Sequence, residues 1–240
     1  MKQFWMDASK NPLYEDWWMG TWGALLYEGG LYDPALLADF LPKELKALNV
    51  SGTFARSVGV GLVNMLSGDY ASMNETVLAQ SMQNIIDTLF SSFAYPGFFP
   101  PSKAFGAEWI DGASVNSLDV IGAIRHCRMQ PGVESDSDVV IDVIASQGSN
   151  LQRVNASDYR SLAMAYRYLE ISSYYSSMNG LERAKFSHPN VTYRYVVLPS
   201  SPLPTNYFPL SMNQTQVQEI YDRGVLDGQN AKVGTIDEDL

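Results

Sequence analysis

Hydrophobic and polar positions along the chain follow both helical and strand periods, so the pattern predicts an α/β domain. Runs rich in β-branched and apolar residues predict strands over 54–66, 70–73, 108–110, 139–145 and 191–198. Apolar residues at helical spacing predict helices over 35–48, 74–93, 118–127, 158–178 and 214–224.

Three local signals refine these elements. Pro42 falls inside the first of these helical segments and predicts a division there. Gly224 is expected to close the last helix. The segment 139–145 reads VVIDVIA and is almost wholly apolar. We therefore expect a strand of a parallel sheet with both faces covered.

Composition excludes several classes of protein. The chain has 240 residues, of which 46% are hydrophobic and 18% charged, and this suits one domain with a sizeable core. A formal charge of -10 argues against nucleic-acid binding. The lone Cys127 excludes a disulfide framework and a cysteine-rich metal site, and His126 and His188 are too few to favour a histidine zinc site.

Targeting signals leave the compartment open. The longest apolar run near the start, 17–27, is too short for a transmembrane helix. Five N-x-[ST] sequons weakly favour a lumenal or secreted protein, whereas a lone cysteine is compatible with the cytoplasm. These sequons begin at Asn49, Asn74, Asn155, Asn190 and Asn213.

The stretch 91–124 carries the candidate chemistry. A helix leads into a Pro-Gly turn and an aromatic, proline-rich loop, and a short strand then ends at Asp111-Gly112. Gly112 permits a sharp turn that leaves the Asp111 carboxylate uncrowded at a strand end, where active sites of α/β sheets tend to form. Taken alone, Asp-Gly favours a plain turn that Asp111 caps.

The wider context resembles the second half of the patatin-like phospholipase domain. The resemblance covers about residues 14–230 and implies a mostly parallel central sheet with helices on both faces, in a three-layer α/β/α arrangement. Its motifs are Gly29-Gly30-Leu31-Tyr32-Asp33, Ala94 and Pro96, Phe99-Pro100, Asp111-Gly112-Ala113, Asn116 and Leu118-Asp119-Val120.

This resemblance implies a serine–aspartate dyad that cleaves acyl esters of phospholipids or acylglycerols. Asp111 matches the aspartate that activates the serine, and Asp111, Gly112 and Ala113 form the motif. Phe98 and Phe99 either line an acyl-chain pocket or pack within their loop. The resemblance implies no metal or organic cofactor. It implies a lipid substrate and allows contact with a lipid interface.

The chain departs from the family in lacking a G-x-S-x-G nucleophile motif. The nearest strings are 112–116, with Asn116 in place of the second glycine, and 20–23, which has no serine. We therefore expect residues 1–240 to form a single patatin-like domain that lacks its upstream part, and to be inactive alone. The alternative is a non-catalytic lipid-binding or scaffold relative of the same fold.

The tryptophans near the start have two interpretations. Trp17, Trp18 and Trp22 could touch a lipid interface, where tryptophan is favoured. Burial in the core, or against a preceding segment, is the interpretation that residue type favours.

Overall fold

The structure is a computed structural model, and it describes residues 2–10, 12–148, 150–151, 153–154, 160–201, 203, 213–231 and 233. The chain divides into two compact units, which are described separately. The first unit comprises residues 10–116, and the second comprises 1–9 together with 117–240. The prediction of one domain over 1–240 stays a prediction.

Helices and strands are interspersed along the described chain. In chain order they are α1 (Lys2–Ala8), β1 (Glu15–Asp16), α2 (Gly20–Tyr27), β2 (Tyr32–Asp33), α3 (Ala35–Ala47), β3 (Gly59–Asn64), β4 (Tyr70–Asn74), α4 (Glu75–Leu78), α5 (Met82–Phe93), β5 (Ser102–Ala104), β6 (Ala107–Asp111), α6 (Val120–Arg128), β7 (Val140–Ile144), α7 (Ser161–Ser187), β8 (Thr192–Val197) and α8 (Gln214–Gln229). Two short 3₁₀ helices, Gly112–Ser114 and Asp136–Asp138, follow β6 and precede β7.

The first unit is built on a four-stranded antiparallel sheet with the order β4-β3-β6-β5. Strands β3 and β4 form the hairpin that the sequence predicts, and Gly59 pairs with Asn74. Strand β6 lies on the other side of β3, where Leu62 pairs with Asp111. The short strand β5 was not predicted, and it pairs Ser102 with Trp109. The sheet therefore carries Asp111 in a central strand.

Apolar clusters support this sheet. One cluster joins α3 to α4 and α5 through Leu41, Leu45, Leu78 and Ile85. A second surrounds Leu62. The indole N–H of Trp109 donates to the carbonyl oxygen of Ala104 at 2.8 Å, so the polar edge of this buried ring is satisfied. These clusters bury residues of both β3 and β6.

Two helix predictions in this unit were wrong. Helix α3 runs through Pro42 without a break, and its buried face is formed by Leu37, Leu41 and Leu45. The predicted helix over 74–93 is two helices. Ser81 separates them because its side chain accepts the N–H of Asn84 at 3.0 Å and so starts α5 as a new helix.

The second unit contains a parallel pair, β7 and β8, with α6 and α7 packed on one face. The core between them is formed by Ile141 and Val143 of β7 with Ile124 and Leu181 of the helices. The other face of β7 is exposed. The expectation that both faces of this strand are covered was therefore wrong.

The chemistry of the exposed face explains this outcome. Asp142 points to the exposed face and pairs there with Arg194 of β8, with Nε donating to Oδ1 at 2.9 Å. An ion pair of this kind stays solvated, so a strand with a central aspartate keeps one face open to water.

Helix ends also differ in this unit. Helix α8 continues past Gly224 to Gln229, and Gly224 does not have the positive φ of a helix-ending glycine. Helix α7 extends to Ser187, beyond the predicted end, and residues 158–159 of that prediction lie outside the described part.

The α/β class is confirmed, and its strand pairing is mixed. Parallel pairing occurs between β7 and β8, whereas the sheet that holds Asp111 is antiparallel. Sequence periodicity reports which face of a strand is buried and not which neighbour it pairs with. The expectation of a mostly parallel sheet therefore rested on the apolar run 139–145 and on the resemblance.

We predict that Gly112→Ala destabilises the protein. A Cβ at this position would overlap the carbonyl carbon and oxygen of Gly61, so β3 or the turn must shift. The expected loss in the free energy of unfolding is about 1–3 kcal/mol, measured by urea denaturation.

Gly224→Ala is the matched control. No atom lies within 4 Å of the corresponding Cβ, and the position is helical. This variant should be stabilised by up to about 1 kcal/mol. Equal stability of Gly112→Ala and the wild type would contradict this prediction, because it would show that the backbones of Gly112 and Gly61 can move apart without loss of stability.

Candidate active site

Asp111 is the last residue of β6. Its backbone N–H donates to the carbonyl oxygen of Ala94 at 3.1 Å, and Ala94 is the C-cap of α5. On the opposite strand edge, Asp111 pairs with Leu62 of β3. The end of the strand is therefore held between the sheet and the turn that follows α5.

The two oxygens of the Asp111 carboxylate have different surroundings. Oδ1 accepts the backbone N–H of Ala113 at 2.9 Å. No donor from the described residues reaches Oδ2. Burial raises the pKa of this carboxyl above its usual range, and the hydrogen bond from Ala113 opposes that rise. One oxygen is fixed, and the other is open to a further donor.

Gly112 gives the turn after Asp111 the space that it needs. Residues Gly112–Ser114 form a 3₁₀ helix, and the N–H groups of Val115 and Asn116 both donate to the Gly112 carbonyl oxygen, at 3.1 and 2.9 Å. Gly112 is buried against the backbone of Gly61, where no side chain fits. The Asp-Gly-Ala motif thus forms a tight, capped turn at a strand end.

This geometry bears on the simpler interpretation of Asp-Gly. The capping contact expected for a plain turn is present, because Asp111 accepts the N–H of Ala113. That contact occupies one oxygen only. Capping therefore accounts for half of the carboxylate and does not compete with a role for Oδ2.

The aromatic loop packs against the glycine-rich segment near residue 30. The N–H groups of Leu31 and Tyr32 donate to the carbonyl oxygens of Gly97 and Phe98, at 3.1 and 2.9 Å. A Cβ on Gly30 would overlap the carbonyl carbon of Phe99. The two motifs that the resemblance singled out are therefore in direct contact.

Phe98 and Phe99 are both buried in this contact. Phe99 meets the ring of Tyr14 at a centroid distance of 5.8 Å, and Phe98 meets Tyr95 at 5.4 Å. A cavity of about 490 Å³ lies in the same unit between α3, α5 and β5, and neither ring lines it. Packing within the loop is thus observed, and the acyl pocket stays a prediction.

Two buried hydroxyls near the site were not singled out from the sequence. Thr88 and Ser91 of α5 are fully buried, and no described residue forms a hydrogen bond with either side-chain oxygen. The carbonyl oxygen of Ser91 accepts the N–H of Ala94, the residue that holds Asp111. Residues three apart lie on the same face of a helix, and this spacing on the apolar face of α5 was the sequence signal that could have identified the two hydroxyls.

Two further carboxylates, Asp119 and Asp142, and His188 have local partners. Asp119 caps α6 by accepting the N–H of Gly122 at 2.9 Å, as expected for a residue at a helix N-terminus. His188 Nδ1 lies 2.8 Å from an Asp136 oxygen. Asp142 pairs with Arg194, as described above.

The family model of the patatin-like phospholipases matches residues 1–124. The match covers more than half of the chain and includes the Asp111-Gly112-Ala113 turn. The chain belongs to the patatin-like phospholipase family. No curated protein matched the sequence. The family assignment supports lipid acyl hydrolysis at the level of the family.

The match ends within α6 of this patatin-like chain. The wider resemblance, up to about residue 230, therefore stays a prediction for β7, α7, β8 and α8. Within the described ranges, no helix is long and apolar enough to cross a membrane.

We predict that Asp111→Asn becomes more stable relative to the wild type as the pH rises. The folded-state pKa of Asp111 lies above its unfolded value, so the folded protein binds the proton more tightly. Ionisation therefore lowers stability as the pH rises from the unfolded pKa through the folded one. The amide that replaces the carboxyl keeps an oxygen for the Ala113 N–H and carries no charge. Urea denaturation at acid and neutral pH measures the difference.

Asp138→Asn provides a control of opposite sign. Hydrogen bonds from the backbone and side chain of Ser135 hold the pKa of Asp138 below its usual range. That carboxylate stabilises the fold above its unfolded pKa, and the contribution is lost as the pH falls through the folded one. Asp138→Asn should therefore lose stability at neutral pH. The same pH trend in both variants would contradict the assignment of burial as the cause at Asp111.

Proposed function

We infer that this protein is a lipid acyl hydrolase of the patatin type in which Asp111 is the aspartate of a serine–aspartate dyad. The substrate class is the fatty acyl ester of a phospholipid or an acylglycerol. The observation that carries the proposal is the half-occupied Asp111 carboxylate at the end of β6, in a turn that matches the family motif.

The chemistry assigned to Asp111 is proton transfer in both directions. Oδ2 accepts the proton of the serine hydroxyl as the serine oxygen attacks the ester carbonyl. The tetrahedral intermediate collapses, the bond to the leaving alcohol breaks, and Asp111 returns the proton to that alcohol. Water then cleaves the acyl-serine ester by the same steps in reverse, with Asp111 first accepting and then returning a proton.

The surroundings of Asp111 support this role in two ways. The hydrogen bond from Ala113 to Oδ1 fixes the orientation of the carboxylate, so Oδ2 is presented without side-chain rotation. Burial raises the pKa of the carboxyl, and a more basic carboxylate is a better proton acceptor. The orientation comes from the backbone N–H of Ala113, whereas the raised pKa comes from burial, which outweighs the opposing effect of that hydrogen bond.

The second candidate is a non-catalytic lipid-binding relative of the same fold. The observation that favours it is the absence of G-x-S-x-G from these 240 residues. A carboxylate alone forms no acyl-enzyme. The nucleotide sequence directly upstream of the Met1 codon separates the two candidates. An open reading frame encoding a glycine-rich loop and G-x-S-x-G supports the enzyme, and a frame without them supports the binding protein.

The 240-residue chain by itself should show no esterase activity. The reason is the missing elbow serine, and the measurement is hydrolysis of a short-chain nitrophenyl ester. Turnover that is abolished by a fluorophosphonate, with the label recovered on a serine of this chain, would overturn this prediction and place the nucleophile within residues 1–240.

In a form of the protein that carries the elbow serine, Asp111→Asn should lower kcat by about 10²–10⁴-fold, the usual contribution of positioned general-base catalysis. Asp119→Asn is the matched control, because asparagine also caps a helix and Asp119 contacts Gly122 of its own helix. Near wild-type turnover of Asp111→Asn would remove Asp111 from the mechanism.

A further inference from the structure

Helix α2 presents its large apolar side chains outward and its small ones inward. Gly23 and Ala24 are buried, whereas Trp22, Leu25 and Leu26 are exposed. These three exposed residues have the spacing i, i+3 and i+4, so they share one face of the helix. A helix that covers a core has the reverse arrangement. The pattern is that of a helix attached to its unit by small residues and displaying an apolar face.

The residues that flank this face extend it. Trp18 is 88% exposed and Trp22 is 78% exposed. Core burial is therefore wrong for Trp18 and Trp22, whereas burial against a preceding segment stays a prediction; Trp17 is partly buried. We call the exposed apolar residues of this segment the α2 surface; they are Trp18, Met19, Trp22, Leu25, Leu26 and Tyr27. Exposed apolar residues concentrated in one segment are typical of an interaction site.

The chemistry of the α2 surface indicates an uncharged or zwitterionic lipid interface. Residues 17–27 carry no charged side chain. Tryptophan and tyrosine prefer the boundary between lipid and water, where the ring is buried and the N–H or O–H stays wet. The adjoining charges, Glu15, Asp16 and Glu28, are all acidic and exposed, so they repel an anionic headgroup layer.

A chain of contacts connects the α2 surface to Asp111 within the same unit. The indole N–H of Trp17, next to Trp18, donates to the Gly30 carbonyl oxygen at 3.0 Å. Gly30 lies against the backbone of Phe99 in the aromatic loop. That loop begins after Ala94, whose carbonyl oxygen accepts the N–H of Asp111. The apolar surface and the candidate site are thus fixed to one framework.

We propose that the α2 surface docks the protein on the uncharged or zwitterionic lipid–water interface that holds its acyl ester substrate. The proposal rests on the proposed function for the identity of the substrate. Insertion of Trp18, Trp22, Leu25 and Leu26 removes apolar area from water, and this term provides the affinity. Attraction between charges makes no contribution, so binding to neutral lipid persists at high salt.

The test is co-sedimentation of the 240-residue chain with phosphatidylcholine vesicles. The wild type is expected to bind. The double variant Trp18→Ala, Trp22→Ala is expected to bind at least about tenfold more weakly, because both rings leave the interface. Phe186→Ala is the matched control, since Phe186 is 90% exposed on α7 of the other unit. It should bind like the wild type.

Two charge variants test the nature of the lipid. Trp22→Glu and Trp22→Lys should both weaken binding to phosphatidylcholine. In a separate arm, adding phosphatidylserine to the vesicles should weaken wild-type binding, because the residues that flank the α2 surface are acidic. Stronger binding of the wild type to phosphatidylserine vesicles would overturn the preference for uncharged or zwitterionic lipid.

Three results would overturn the proposal as a whole. These are absence of wild-type binding, equal binding of the double tryptophan variant, and oligomers in the wild type that become monomers in the variant while vesicle binding is absent from both. Absence of wild-type binding from a monomeric protein would favour burial of the α2 surface against a preceding segment. The last result would assign the α2 surface to contact between copies of this chain. Vesicle binding is measured without turnover, and Asp111→Asn should bind vesicles like the wild type. A failure of the dyad assignment therefore leaves this test intact.

Discussion

The close approach of Gly112 to Gly61 is the constraint on which the candidate site depends. The two backbones come so near that a methyl group on Gly112 has no space, and this proximity sets where β6 stops and the chain turns. Asp111 is the residue immediately before that turn. Its N–H is held by Ala94, and its Oδ1 is held by Ala113. The direction of the free carboxylate oxygen thus follows from backbone packing and not from other charged groups.

The same framework supports the apolar helix near the start of the unit. Segment 30–32 is hydrogen-bonded to the aromatic loop, and Trp17 is hydrogen-bonded to that segment. Such contacts leave little freedom between the loop that follows α5 and the entry to α2. A lipid interface that receives Trp18 and Trp22 would therefore lie at a fixed position relative to Asp111. This is the arrangement that a hydrolase requires when its substrate stays in a lipid phase.

The sequence predicted those features that depend on local chemistry. The β3–β4 hairpin and the strand ending at Asp111 were both indicated by residue type and spacing. Features that depend on distant partners were not. Helix α3 passes through Pro42 because Leu37, Leu41 and Leu45 are all buried, and that burial outweighs the lost hydrogen bond. The exposure of Trp18 and Trp22 follows from what packs beside α2, which hydrophobicity alone does not specify.

The choice of aspartate at position 111 bears on whether the protein is an enzyme or a scaffold. The capping contact with Ala113 requires one neutral or charged oxygen, and asparagine provides it as well as aspartate does. A partly buried carboxylate with a raised pKa lowers stability at neutral pH, and asparagine would avoid that loss. The basicity that comes with this raised pKa is the property that the proposed dyad would use. The carboxylate at the end of β6 therefore costs stability at neutral pH, and Asp111→Asn separates that cost from any contribution to turnover.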